Sequence, residues 1–242
     1  MNAIEIKGLT KHYRDVVAVD NLSLTVGEGE LFSLLGVNGA GKTTTIKMLS
    51  CLTVPTDGDA YLLGKSVCKE SAEVKALIAV SPQETAVAPG LSVRENLELM
   101  CGVHGFGKDK CVKKIKELTA LLGLESVIGR KAGKLSGGWQ RRLSIAMALI
   151  SEPRILFLDE PTLGLDVLAR SDLWDIIRSL KGRVTIILTT HYMEEAEALS
   201  DRIAIMRDGR LLICDTAEQI KAIAATNSFE EAFVRIVKGV AK

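Results

Sequence analysis

The stretch Gly36-Val-Asn-Gly-Ala-Gly-Lys-Thr43 limits what this chain can fold into more than any other. It has the spacing G-x-x-x-x-G-K-[ST], follows the apolar run Leu31-Phe-Ser-Leu-Leu35 and opens a helical pattern at Lys42. Glycines at 36, 39 and 41 let the backbone curl around an anion with its N–H groups turned inward, and the new helix adds the positive end of its dipole. A strand before and a helix after separate such a phosphate cradle from a chance match. Gly36, Asn38, Gly39, Ala40, Gly41, Lys42, Thr43 and Thr44 are the expected nucleotide-binding residues of the cradle. Lys42 is placed to reach the outer phosphates, and the Thr43 hydroxyl to take one position on a Mg²⁺ ion that keeps most of its octahedral shell as water.

At 242 residues and 47% hydrophobic content, the chain has material for one large domain or a domain with a subdomain. Lys+Arg at 31 against Asp+Glu at 30 leave a formal charge of +1, so no overall basic field exists to hold nucleic acid or an acidic membrane. The five cysteines form no C-x-x-C pair and read as reduced thiols, which points to a cytoplasmic address. Charged residues at Glu5, Lys7, Lys11 and Asp15 argue against a signal peptide. No apolar run approaches the ~18 residues that crossing a bilayer requires.

From Ile4 to Val26 apolar residues alternate between turn residues, predicting short antiparallel strands with Tyr13 in a loop between the first two. That tyrosine either offers a face for a purine ring or is an ordinary half-exposed loop residue. Thr53 to Gly58 is a turn cluster, Ala60 to Leu63 a strand, and Ala76 to Val80 a short strand ending at Ser81-Pro82-Gln83. Helical spacing then takes over in Leu91 to Gly102, Lys110 to Gly123 and Gly137 to Ile150, which predicts a helical insert with Gln83 at its entrance. Strands resume at Arg154 to Leu158 and, after a helix from about Leu168 to Leu180, at Val184 to Thr190. A short helix from Glu194 to Leu199, a strand from Ile203 to Met206 and an Asp-Gly hairpin turn into Leu211 to Cys214 complete the pattern. The expected fold is α/β: a P-loop core on a mostly parallel sheet, an N-terminal antiparallel β subdomain and an inserted helical subdomain.

In an open parallel sheet, ligands bind beyond the carboxyl ends of the strands. The cradle, Gln83, Asp159-Glu160 and His191 all fall at such ends and can converge on one nucleotide. Asp159 is expected to hold Mg²⁺ through its water shell, and Glu160 to orient or deprotonate a water for in-line attack on the terminal phosphate. His191 offers a nitrogen to that phosphate, or is a hydrogen-bonded strand-end histidine. Leu135-Ser-Gly-Gly138 precedes the helix running from Trp139 to Ile150. Alone it reads first as a serine N-cap with glycine packing. As a second phosphate-facing element, with Ser136, Gly137 and Gly138 at a helix start, it makes most sense closing over the nucleotide of another copy.

Together these motifs resemble the ATP-binding cassette (ABC) family from about Ile4 to Ala217. The cradle corresponds to Walker A, LSGG at 135 to 138 to the signature and ILFLDE at 155 to 160 to Walker B. Gln83 corresponds to the Q-loop, TLGLD at 162 to 166 to the D-loop, His191 to the switch histidine and Tyr13 to the adenine-stacking aromatic. The resemblance implies ATP and Mg²⁺, with Thr43, Gln83 and Asp159 toward the metal and Glu160, His191 and Gln83 in catalysis. It also implies two cassettes, identical or related, sandwiching two ATP molecules, each held by one subunit's Walker A and the other's signature. Ser92 to Leu97, the RRLSIAMALI helix, HYMEEAEALSDRIAIM and SFEEAFVRIV resemble ABC-2 or multidrug-type export ATPases. Expected partners are a second ATP-binding subunit and an integral membrane permease, whose coupling helix would enter near Ser81 to Leu97; no nucleic acid is expected. The chain is then one ABC ATPase domain of 1–242, with core 1–83 and 152–217, helical subdomain about 84–151 and helical tail 218–242. It would lie on the inner face of the cell membrane through its permease. Trp139 departs from the family, which usually carries glutamine or methionine there.

Overall fold

The computed structural model describes residues 1–239. Two 12-residue strands, β1 (Asn2–Tyr13) and β2 (Val16–Gly27), form an antiparallel hairpin, followed by β3 (Leu31–Leu35) and α1 (Lys42–Leu49). β4 (Asp57–Leu62), β5 (Lys65–Ser66), α2 (Ser71–Leu77) and β6 (Ile78–Ser81) come next. The helices α3 (Val93–Val103), α4 (Lys108–Leu121) and α5 (Gly137–Leu149) then precede β7 (Ile155–Asp159) and α6 (Val167–Leu180). The chain continues through β8 (Thr185–Thr190), α7 (Met193–Leu199), β9 (Arg202–Arg207) and β10 (Arg210–Asp215) to α8 (Ala217–Ile223) and α9 (Phe229–Lys238). The tail expected over 218–242 is helical through α8 and α9 as far as Lys238, and its last three residues lie outside the described ones.

The strands form an antiparallel sheet in the order β2-β1-β4-β5 and a second sheet in the order β10-β9-β3-β8-β7-β6, parallel except for β10. The runs LFSLL, ILFLD and TIILTT are buried throughout, as strands covered on both faces require. Their side chains alternate between two cores. Ile155 and Phe157 join Phe32 and Leu34 in the core under the antiparallel sheet and α1, while Leu156 and Leu158 join the core shared with α3, α4, α5 and α6. A third core packs α7, α8 and α9 against β9.

Helix boundaries follow local chemistry. Ser92 and Glu95 make a reciprocal capping box at α3, and Asp166, Thr216 and Ser228 accept N–H groups at the starts of α6, α8 and α9. Three expectations differ from what is observed. The N-terminal alternation belongs to two long strands, because register shifts between Ile6 and Leu9 and between Leu9 and Lys11 break the simple period. Tyr13 is the last residue of β1 rather than a loop residue. The apolar stretch Ala76 to Val80 is split between the end of α2 and the start of β6, the helix passing directly into the strand at Ile78. Phe157 is fully buried at the centre of β7, so Phe157→Ala should destabilise the fold by about 3–5 kcal/mol, read as a lower midpoint in urea unfolding.

Candidate functional site

Because β3, β8, β7 and β6 run parallel, their carboxyl ends open on one edge. Leu35 pairs with Thr190, Asp159 with Thr189 and Ser81 with Leu158, which keeps those ends nearly level. A cleft of about 560 Å³ lies there, lined by Asn38 to Thr44, Gln83, Glu160, Leu163 and His191, with Val16, Val17 and Ala18 of β2 closing one side.

The cradle needs its glycines for distinct reasons. Gly41 has φ +99°, and a Cβ on it would stand 2.5 Å from the Ala18 carbonyl; a Cβ on Gly36 would stand 2.4 Å from the Met206 carbonyl. The chain can make this turn against β2 and β9 only without side chains at those positions. The amides of Lys42, Thr43 and Thr44 belong to the first turn of α1 and have no intrahelical acceptor, so they form a preset group of anion donors.

Charged groups behind the cradle are tightly packed. The Lys42 ammonium donates to the Gly36 carbonyl at 2.6 Å and the Val37 carbonyl at 3.2 Å, and stands 3.7 Å from Glu160 Oε1. Burial lowers its pKa below the usual lysine value, against the opposing pull of Glu160 and Asp159. Glu160 Oε2 lies 2.9 Å from His191 Nδ1, which links the ends of β7 and β8. The Thr43 hydroxyl donates to Asp159 Oδ1 at 3.3 Å, and Thr189 bonds the same oxygen at 2.5 Å. Glu160 has φ +46°, a left-handed backbone that its N–H bonds to the carbonyl and hydroxyl of Thr189 help to hold.

A magnesium ion fits this donor set. Among the described residues no three or more His, Cys, Asp or Glu side chains gather into a metal cage. A hydroxyl and a carboxylate side by side, Thr43 and Asp159, match an ion that prefers oxygen and keeps several waters.

Gln83 lines the cleft and is tied to the helical insert by its backbone. Buried Arg141 of α5 donates to the Pro82 carbonyl at 2.6 Å and the Gln83 carbonyl at 2.5 Å, and Ser144 of α5 bonds Ser81 at 2.9 Å. Ser136, Gly137 and Gly138 start α5 but do not line the cleft, and the Ser136 side chain makes no capping bond. Ser136 thus holds the N-cap position expected of LSGG in isolation, without the side-chain hydrogen bond, and Gly138 packs close to Ala169 of α6. Trp139 packs against the insert's core with the Arg142 guanidinium 4.9 Å from its ring; that guanidinium also pairs with Asp172 of α6 at 2.7 Å. The indole thus belongs to the joint between α5 and α6.

Tyr13 does not line the cleft. It is 44% exposed, with the Lys11 ammonium 5.1 Å from its ring. Val16, Val17 and Ala18 were not singled out from sequence, because small and apolar residues after a hairpin turn carry no chemical signature. Arg141 and Thr189 were missed for a different reason: they act through contacts between segments distant in the chain.

The ABC transporter family model matches residues 19–163, more than half of the chain. The chain is 40% identical over 222 residues to the phospholipid-transporting ATPase ABCA3 of Homo sapiens, an alignment covering 90% of this chain and 13% of that protein. It is 41% identical over 226 residues to the daunorubicin/doxorubicin resistance ATP-binding protein DrrA of Streptomyces peucetius, covering 93% of this chain and 68% of DrrA. A solved dimeric structure of the ATP-binding cassette MJ0796, in a post-hydrolysis state bound to ADP and Pi, superposes with a TM-score of 0.79 at 27% identity, over 88% of this chain and 98% of that one. The chain spans 13% of the human relative and 41% of the multidrug ABC transporter ATP-binding protein YbhF of Escherichia coli. On the strength of the family match and of its likeness to DrrA along most of both chains, the protein belongs to the ABC transporter family.

Proposed function

We propose that this chain is an ATP-binding and ATP-hydrolysing subunit of an ABC transporter of the export type. The observation that carries the reading is the convergence of Lys42, Thr43, Gln83, Asp159, Glu160 and His191 at one edge of the parallel sheet of a family member. In this reading the first-turn amides of α1 and the Lys42 ammonium bind the phosphates of ATP. Thr43 and Asp159 would hold Mg²⁺, which would offset the charge of the phosphates. Glu160 orients a water and accepts its proton, and His191 fixes the Glu160 carboxylate through the 2.9 Å contact while facing the terminal phosphate. Tyr13 is proposed to stack on the adenine despite standing outside the cleft lining, beside the wall formed by Val16 to Ala18.

Ser136, Gly137 and Gly138 lie outside the cleft of their own chain, which supports a role against the nucleotide of a second cassette, either another copy or a relative. The dimeric cassette MJ0796 bound to ADP and Pi favours such a pair. Arg141 and Ser144 would pass a change at Gln83 to the signature helix. We assign the core to 1–83 and 152–217, the moving helical subdomain to about 84–151 and the tail to 218–242. Among the described residues no helix is long and apolar enough to cross a membrane. We assign the transport path to a separate permease that holds this subunit at the inner membrane face, in keeping with the relative named as an ATP-binding protein. Export is favoured by the relative named for daunorubicin/doxorubicin resistance.

Glu160→Gln should keep ATP binding, lower turnover on the order of 10²-fold or more and trap a dimer, as measured by steady-state hydrolysis and light scattering with Mg²⁺-ATP. Wild-type turnover in that variant would remove Glu160 from the mechanism. Specific activity of the cassette alone should rise with protein concentration, since each site needs groups from two chains; a flat dependence in a preparation that light scattering shows to be monomeric would sink the shared-site reading.

A further inference from the structure

Glu195, on α7, is fully buried, and only one of its carboxyl oxygens has a hydrogen-bond partner: Oε1 accepts the Trp174 indole N–H of α6 at 3.1 Å. Glu195 Oε2 and the Thr162 hydroxyl are buried atoms without a hydrogen-bond partner. The Thr162 and Thr190 hydroxyls lie near enough to this carboxyl to act on it, without making a hydrogen bond to it. The Thr190 hydroxyl accepts the Tyr192 N–H at 2.9 Å, which ties the start of α7 to the end of β8. Burial raises the Glu195 pKa above the usual carboxyl value, while those hydroxyls, the indole and the Arg170 guanidinium pull it down. A buried carboxyl with so few donors is costly, and such a group calls for a reason beyond packing.

Its neighbours supply one. Thr162 lies in the turn that begins at Glu160, closed by the Leu163 N–H to Glu160 carbonyl bond of 3.2 Å. Thr190 precedes His191 at the end of β8, and Glu195 follows His191 on α7. Glu195 thus sits beside both segments that carry the 2.9 Å Glu160–His191 pair. The left-handed backbone of Glu160, at φ +46°, persists only if the surroundings over-determine it.

We propose that Glu195 and Thr162 are positioning residues: a buried brace that holds the 160–163 turn against the end of β8 and so keeps Glu160 aimed beside His191. The brace rests on the proposed role of Glu160 in hydrolysis. Ordering of the site closes the Thr162 to Glu195 gap, satisfying both lone atoms together.

The test uses the full chain and compares Glu195→Leu, Glu195→Gln and Thr162→Val, alone and in the Glu160→Gln background, by kcat and KM for ATP and by thermal unfolding. Glu195→Leu, which keeps the volume and removes the polar bridge, should lower kcat on the order of tenfold or more, with KM within about twofold of wild type. Glu195→Gln should restore most of that loss. Thr162→Val should lower kcat in the same way and add little when combined with Glu195→Leu. Neither should matter once Glu160 is glutamine. A folded Glu195→Leu protein with wild-type kcat, or a loss carried by KM alone, overturns the brace; should that variant not fold, wild-type kcat in Thr162→Val does the same. A wild-type chain without ATP turnover would overturn the reading of Glu160 and the brace with it, whereas normal wild-type turnover left unchanged in the variants removes the brace alone.

Discussion

Level parallel pairing of β3, β8 and β7 is the constraint on which the whole site depends. With Leu35 beside Thr190 and Asp159 beside Thr189, the loops after these strands leave the sheet at one edge and within side-chain reach. A slip of one residue would turn Phe157 and Leu158 onto each other's faces and carry Asp159 and Glu160 with them. The two cores on either side of the sheet therefore fix the chemistry as well as the stability. Parallel strands demand burial on both faces, which explains why an antiparallel sheet lies over one face and the helical insert with α6 over the other.

Lys42, Asp159 and Glu160 are each less than 10% exposed, so their charges have lost most of their water. Carbonyls of the cradle turn and hydroxyls of Thr43 and Thr189 replace part of that hydration. Removing one member leaves its partner charged and uncompensated, at a cost of about 3–5 kcal/mol. An apolar cluster of the same volume would serve stability as well or better. Charges this expensive to bury gather where chemistry uses them, and a cleft lies beside them.

The helical insert is not an independent appendage. Arg141 spans from α5 to the carbonyls of Pro82 and Gln83, and Arg142 spans from α5 to Asp172 on α6 beneath the Trp139 indole. One helix therefore carries the signature at its tip, grips the exit of β6 in its middle and leans on the helix that follows the D-loop. These links tie a helix tip to the end of a strand. The aromatic at 139 fits this joint because its flat face receives the guanidinium that Asp172 orients.

Sequence alone determined the elements whose chemistry is local. The cradle spacing, the buried runs of β3, β7 and β8 and the amphipathic insert were legible because period, glycine position and charge at a strand end are properties of consecutive residues. It could not separate α2 from β6, since helix passes into strand at Ile78 without a turn residue, and it could not see that bulges join the alternating N-terminal segments into two long strands. Only the tertiary structure decided that Val16 to Ala18 rather than Tyr13 wall the cleft, that Arg141 holds Gln83, and that Glu195 meets Thr162 and Trp174. Those contacts join residues tens to more than a hundred positions apart, and their selection rests on shape and burial, which no local pattern of side chains encodes.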